Sequence, residues 1–434
     1  MTPPIRFRGA LESLSAPDRG ALLDRSDADG SAEVVAAQVR EIIAAVRRDG
    51  DAALRRLTER FDEVALERFE VPGSIVRQAL DDTPFDLVLA LERARVNLQR
   101  AHAAWSPDAQ RVETEPGILL QRMPSPVARV GIYAPGGRAA YPSSVLMGAV
   151  PARVAGVGET ILVSPPGPDG LPSRIVMAAA AVAGVDRVFA LGGAQAIAAL
   201  AWGTETVPAV DRIVGPGNVW VTEAKRQVFA RTPIDTPAGP SELLVVAGPD
   251  DAPAAAAEMV AQAEHDPEAA VVALVVGDRA ATDRLEAALS EATAVAERRD
   301  VVAAALRNRG AVLSVTDLEA ALAFSNEFGP EHLLLLAPDA VSGRFRFWNA
   351  GTVFVGAPSS VSFGDYLTGG NHVLPTGGMS RRCSGLGPEA FVRWTTYQTV
   401  TEEAAGRLAP DVELLALAEG LPGHAAAARR WRTA

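Results

Sequence analysis

The side chains best suited to chemistry in this chain are four of its five histidines and the carboxylates and amide near them. Gln262-Ala263-Glu264-His265 closes an alanine-rich helical run over 252–264. Residues three apart share a helix face, so the Gln262 amide oxygen and the His265 imidazole are expected to point the same way. They are either half of a metal site or a plain polar helix end, and the segment alone does not choose. Glu331-His332 opens the apolar run 333–336. Two ionisable groups beside a buried strand are unfavourable unless paired or used. A carboxylate next to an imidazole is a natural acid–base unit, and a capped strand start with a surface ion pair is the equally open alternative. Gly370-Asn371-His372 and Gly423-His424 place two more histidines near element ends, where the helix dipole also favours imidazole. The fifth, His102, sits inside a helical pattern and is expected to be a surface or capping residue.

A catalytic zinc wants three or four N/O ligands and an exchangeable position. Gln262, His265, Asp365 (in Gly364-Asp365-Tyr366) and His424 have suitable donors, yet no HExxH or other self-contained signature shows that these segments meet. Glu419 and His424 flank a break at 420–423 in a helical tail. A break re-aims side chains toward another domain or subunit, or it is simply a solvated turn. Ser241 precedes a strand without the GxSxG of a nucleophile elbow, so it is read as a hydroxyl hydrogen-bonder. Cys383, the single cysteine, excludes an intrachain disulfide and a thiolate zinc cluster and is read as structural.

These residues need elements to position them. Helical patterns cover 32–61, with a break at Arg47-Arg48-Asp49-Gly50, and 84–105, whose Leu87, Leu91, Ala94 and Leu98 form an apolar stripe. From Val127 onward, candidate strands at 128–133, 160–164, 187–191, 212–214, 243–247, 270–276, 311–315, 333–336 and 352–355 alternate with alanine-rich helices. Such alternation means parallel sheets with helices on their faces. The Pro/Gly/Asp-rich stretch 232–240 reads as a hinge between two α/β domains. The first 30 residues read as an arm outside the core, and a helical tail is expected from near Gly387 to the end.

Three glycine-rich turns follow strands: Tyr133-Ala-Pro-Gly136-Gly137, Gly192-Gly193-Ala-Gln195 and Gly215-Pro-Gly217-Asn218. Open α/β sheets bind ligands at the carboxyl ends of strands, and helix N-termini favour phosphate. A nucleotide pocket is one reading; strand–helix turns also need glycine for their own sake. Gly385-Leu-Gly387-Pro-Glu-Ala390 fits a dinucleotide fingerprint on paper but follows no strand and is set aside.

The chain's 434 residues imply more than one domain. A net charge of −12 argues against nucleic acid or an anionic membrane as a main partner. No apolar run approaches the roughly 18 residues of a membrane span, and no cleavable signal opens the chain, so cytoplasmic is the expectation. Lys225 is the only lysine, and no P-loop surrounds it.

Taken together, Tyr-Ala-Pro-Gly-Gly, Gly-Gly-Ala-Gln-Ala-Ile-Ala-Ala-Leu, Gly-Pro-Gly-Asn, Pro-Ala-Gly-Pro-Ser-Glu, Gln-Ala-Glu-His-Asp, Gly-Pro-Glu-His-Leu, Gly-Asp-Tyr, Thr-Gly-Gly-Asn-His-Val-Leu-Pro-Thr and Glu-Gly-Leu-x-x-His-Ala resemble the motifs of the histidinol dehydrogenase family. The resemblance spans essentially the whole chain, in the family's order and spacing. It implies oxidation of L-histidinol to L-histidine through the aldehyde, the last step of histidine biosynthesis, with NAD⁺ and one Zn²⁺ per subunit. It implies Gln262, His265, Asp365 and His424 as zinc ligands and Glu331 and His332 as the acid–base pair. Substrate contacts would come from Ser241, His332, His372, Glu419 and the zinc ligands, and Tyr133, Gln195 and Asn218 would line the NAD⁺ pocket. The implied α/β fold has two Rossmann-like parallel-sheet domains of incomplete type, an N-terminal arm and a small helical C-terminal tail domain, in an intertwined homodimer. The corresponding division is 1–30 arm, 31–131 plus 242–380 larger domain, 132–241 NAD-binding domain, and 381–434 tail, which carries Glu419 and His424 into the partner's site. The tail loop Gly420-Leu-Pro-Gly423 departs from the family pattern but leaves both positions filled. Oxidation of another alcohol, such as a sulfonated diol, is the near alternative, and a zinc-dependent binding protein without turnover the distant one. His372 and Glu419 suit an imidazole-and-amine substrate, and the Glu331-His332 pair favours catalysis.

Overall fold

The computed structural model describes residues 5–25, 31–136, 140–343 and 346–432. Along the chain run β1 (Phe7–Ala10), β2 (Glu70–Val71), β3 (Gln110–Glu115), β4 (Ile118–Pro126), β5 (Arg129–Tyr133), β6 (Glu159–Ser164), β7 (Arg187–Ala190), β8 (Arg212–Val214), β9 (Glu242–Ala247), β10 (Ala270–Val276), β11 (Ala311–Val315), β12 (His332–Leu335), β13 (Thr352–Val355) and β14 (Val392–Val400). All nine expected strands are present, within a residue or so of their expected ends. They divide at the 232–240 stretch into two sheets: β2-β7-β6-β5-β8, and β1-β11-β10-β9-β12-β13. The second is parallel throughout. In the first only β2 runs antiparallel. Every residue of β9 is buried, as are all but the last of β10. Unbroken apolar runs of this kind belong to sheets covered on both faces.

Three expectations are corrected. The first 30 residues are not merely an arm. β1 adds an edge strand to the larger sheet beside β11, and Phe7, Leu11 and Leu22 join its core.

The two long helices within 31–131 both pack on the smaller sheet. Val39, Ile43 and Leu54 of the helix Ser31–Asp62 pack with Ile161 and Phe189 of β6 and β7. Leu91, Ala94 and Leu98 of the helix Phe85–Ala104 pack with Val130 and Leu162 of β5 and β6. An apolar stripe specifies that a helix docks, not which sheet receives it.

The tail is not helical from Gly387. β14 pairs antiparallel with β4, and β4 with β3, as a third sheet. No residue of these three strands is fully buried, so the alternating burial that would mark them is missing. Beyond β14 the tail is two helices, Glu402–Ala418 and Pro422–Arg429.

His102 is wholly buried, edge-on to Trp105, with neither ring nitrogen hydrogen-bonded. The expected break in the first helical pattern is real, since Gly50 has φ 52°. Gly137 of the first glycine turn lies outside the described residues, as do 1–4 and 26–30 of the expected arm.

Candidate active site

The helix Ala252–Ala263 ends one residue after Gln262, and the His265 N–H donates to the Gln262 carbonyl at 3.3 Å. The two residues are therefore joined by one last turn at the helix end. The Glu258 carboxylate, one turn before Gln262, accepts from the Val361 N–H at 3.1 Å. That bond docks the short helix Val361–Tyr366, which carries Asp365, against the Gln262 helix. A Cβ on Gly364 would collide with the Phe354 ring of β13, so only glycine lets this helix lie so close.

Glu331 and His332 stand at the amino end of β12, where His332 is in register with Leu243 of β9. Both are buried. The His332 Nδ1 lies 3.0 Å from the Glu242 carbonyl oxygen and 3.5 Å from Glu331 Oε2. A carbonyl can only accept, so Nδ1 carries the hydrogen and Nε2 keeps a lone pair. Nε2 is buried without a hydrogen-bond partner, 3.6 Å from Asp365 Oδ1. Burial lowers the His332 pKa to about 4, so the ring is neutral near pH 7. Burial raises the Glu331 carboxyl well above the ordinary range, and the charges of Glu242 and Asp365 push it further.

Asp365 is mostly buried, and its pKa rises to about 7 through desolvation and, secondarily, the charge of Glu258. Its nearest imidazole is neutral, so the carboxylate lacks a countercharge. Burial also lowers the pKa of His265. The His265 ring is close enough to depress His332 and His372 further. One uncompensated carboxylate, a neutral imidazole and an amide on adjoining elements form a donor set suited to a divalent cation of zinc's type. No group of three or more His, Cys, Asp or Glu side chains placed to hold a metal exists among the described residues. Within one chain the set is incomplete, because one expected donor is an amide and another lies on the tail.

Each ring nitrogen of His372 has a neighbour within one chain. Nδ1 donates to the Asp365 carbonyl at 2.9 Å, and Nε2 lies 3.2 Å from Ser144 Oγ in the other sheet domain. Ser241 is half-buried one residue before β9, and its carbonyl accepts from Ala270 N–H at 2.9 Å. Glu419 caps the first tail helix and His424 lies in the second; both are exposed and not joined to the cluster within one chain. The expected break is there, with Gly420 at φ 73° and Pro422 in the first turn of the second helix.

The glycine turns lie along one edge of the other sheet, because β5, β7 and β8 run in one direction. The buried Tyr133 hydroxyl accepts from Gly193 N–H at 3.2 Å. Burial pushes its pKa to about 12. Gln195 is buried in the first turn of the helix Gly193–Trp202. Asn218 caps the helix Val219–Val228, accepting from the N–H groups of Trp220 and Val221. Gly215, at φ 111°, presses against the Tyr133 carbonyl, where any Cβ would collide. The result is a backbone-lined cradle at a carboxyl edge, the ordinary place for a nucleotide.

Sequence reasoning passed over Glu242, Arg25 and Ser144. Glu242 carried the same signal as Glu331, a carboxylate opening an apolar strand; Arg25 and Ser144 carried none.

A cradle on one parallel-sheet domain and a buried carboxylate–imidazole pair on the other define a two-domain α/β enzyme. The match to known proteins is more specific: residues 25–432 fit the histidinol dehydrogenase family profile. The chain is 46% identical over 421 residues to histidinol dehydrogenase of Natronomonas pharaonis, covering 96% of this chain and 97% of that one. It is 43% identical over 423 residues to that of Methanosarcina barkeri, covering 96% of each. The crystal structure of histidinol dehydrogenase from Elizabethkingia anophelis superposes with a TM-score of 0.91 at 30% identity over 98% of both chains. The chain belongs to the histidinol dehydrogenase family and is an oxidoreductase.

Proposed function

We propose that the protein oxidises L-histidinol to L-histidine by way of the aldehyde, with two NAD⁺ per turnover and a zinc ion held by Gln262, His265, Asp365 and the partner subunit's His424. The observation that carries this reading is the buried, neutral His332 with a free Nε2 beside Glu331 and the unpaired Asp365 carboxylate. Zinc, when bound, supplies a fixed positive point that orients the substrate's nitrogens and lowers their proton affinity. His332 Nε2 takes the hydroxyl proton as hydride leaves the carbinol carbon for the nicotinamide. Glu331, whose burial strengthens it as a base, takes a proton from water as that water adds to the aldehyde. Loss of a second hydride to the second NAD⁺ gives the carboxylate. Tyr133, Gln195 and Asn218 hold the turns that receive the cofactor, and Ser241, His372 and the partner's Glu419 contact the substrate. Keeping the aldehyde in one closed site protects it from side reaction.

The exposed tail supports a dimer. Leu414, Leu415 and Leu417 are exposed on its first helix and Leu421 in the turn that joins the two helices, an apolar face that a second copy would cover. Purified enzyme given L-histidinol, zinc and NAD⁺ is expected to make two NADH per histidine formed. Zinc-loaded, folded protein that yields no NADH would refute the assignment.

A further inference from the structure

Glu242 opens β9 with a buried side chain. Its N–H donates to Glu331 Oε2 at 2.9 Å, its Oε2 accepts from Glu331 N–H at 3.3 Å, and its carbonyl accepts from His332 Nδ1 at 3.0 Å. One residue thus holds both members of the pair through three hydrogen bonds. Its Oε1 accepts from Gly377 N–H at 2.7 Å and lies 2.9 Å from Arg25 Nε. Arg25 comes from the amino-terminal segment with its side chain 5% exposed. It donates to the Phe328 carbonyl at 2.6 Å and lies 3.6 Å over the Phe328 ring. A buried carboxylate is costly without a countercharge, and here it abuts a second buried carboxylate.

We propose that Glu242 is a positioning residue for the Glu331–His332 pair and that Arg25 is the countercharge keeping it in place, so the amino-terminal segment supports catalysis from behind the pair. The inference rests on Glu331 and His332 being the acid–base pair. Without Arg25, Glu242 must take up a proton or turn toward water, and either loosens its bonds to Glu331. The loss falls on reaction geometry rather than on substrate binding.

The test uses full-length Arg25→Met, Arg25→Lys and Arg25→Met/Glu242→Gln. In Arg25→Met, hydrogen exchange at the Glu242 and Glu331 amides is expected to quicken about tenfold or more. The kcat per folded enzyme is expected to fall about tenfold or more, with KM for histidinol within about threefold. Arg25→Lys, which keeps the charge but not the stacking, should fall between. The double variant should regain kcat relative to Arg25→Met, because the carboxylate that Arg25 pairs with is removed along with it. Unchanged exchange at those two amides, or unchanged kcat beside an active wild type, overturns the proposal. A wild type without histidinol oxidation would instead refute the reaction assignment, while the exchange measurement still decides the positioning claim.

Discussion

The hydrogen on His332 Nδ1 points at the Glu242 carbonyl oxygen 3.0 Å away, and that single bond decides which ring nitrogen is free to act. Nε2 is left bare and buried on the side of Asp365. Replacing His332 with Asn removes the base at that position. We expect kcat to fall by about 10²–10⁴, with KM for histidinol changed only a few-fold. Glu331→Gln should slow oxidation of the aldehyde more than that of the alcohol. Steady-state rates with histidinol and with histidinal separate the two; equal losses of both variants on both substrates would contradict the division of roles.

Zinc affinity should depend on pH below neutrality. Asp365, with a pKa of about 7 in the metal-free chain, must lose its proton to become a ligand. Affinity should therefore weaken about tenfold per pH unit as pH falls below about 7 and level off above it. Competition titration against a chelator across this range reads the slope, and an Asp365→Asn variant should lose most of it.

His102 gives stability its own pH dependence. Burial lowers its pKa to about 4 in the folded chain from 6.5 in the unfolded one. Between these values the unfolded state binds more protons, so stability rises with pH through that window and is lost as pH falls through it. The full effect is about 3 kcal/mol. Unfolding of wild type and His102→Leu at pH 4 and pH 7 should show the variant losing less; parallel losses would mean that His102 is not responsible.

Lys225, ion-paired with the buried Asp235, also donates to the Gly215 carbonyl at 2.9 Å, while Asp235 Oδ2 accepts from Gly215 N–H at 2.7 Å. The pair clamps both sides of the turn pressed against Tyr133. Lys225→Met strands a buried carboxylate and should cost about 3–5 kcal/mol in denaturant unfolding. It should also raise KM for NAD⁺ more than KM for histidinol. Lys225→Met/Asp235→Leu should recover stability, but not cofactor affinity.

Sharing of the tail is open to complementation. His424→Ala and Glu331→Gln homodimers should each be nearly inactive. After subunit exchange, hybrids carry one site with both residues intact and should regain up to about one half of the wild-type activity per hybrid. No recovery after confirmed exchange would remove the shared site.

Local sequence alone determined the nine core strands, the break at Gly50 and the chemistry-bearing strings around His265, His332, Asp365 and His372. Strand runs, turn glycines and helix ends are written in neighbouring residues, so one stretch suffices to read them. The tertiary structure decided the rest. Glu242 meets Glu331 across 89 residues of chain because β9 and β12 pair in a register set by the packing of both sheet faces. Arg25 reaches the same carboxylate from a segment whose own pattern shows no burial. His102 reads as a surface residue until the helix carrying it docks on the smaller sheet. The strands β3, β4 and β14 lack a buried face, so no periodicity announces them. For Glu242, Arg25, His102 and β14 the deciding contact joins residues far apart in sequence, and its free energy exists only once both elements are packed.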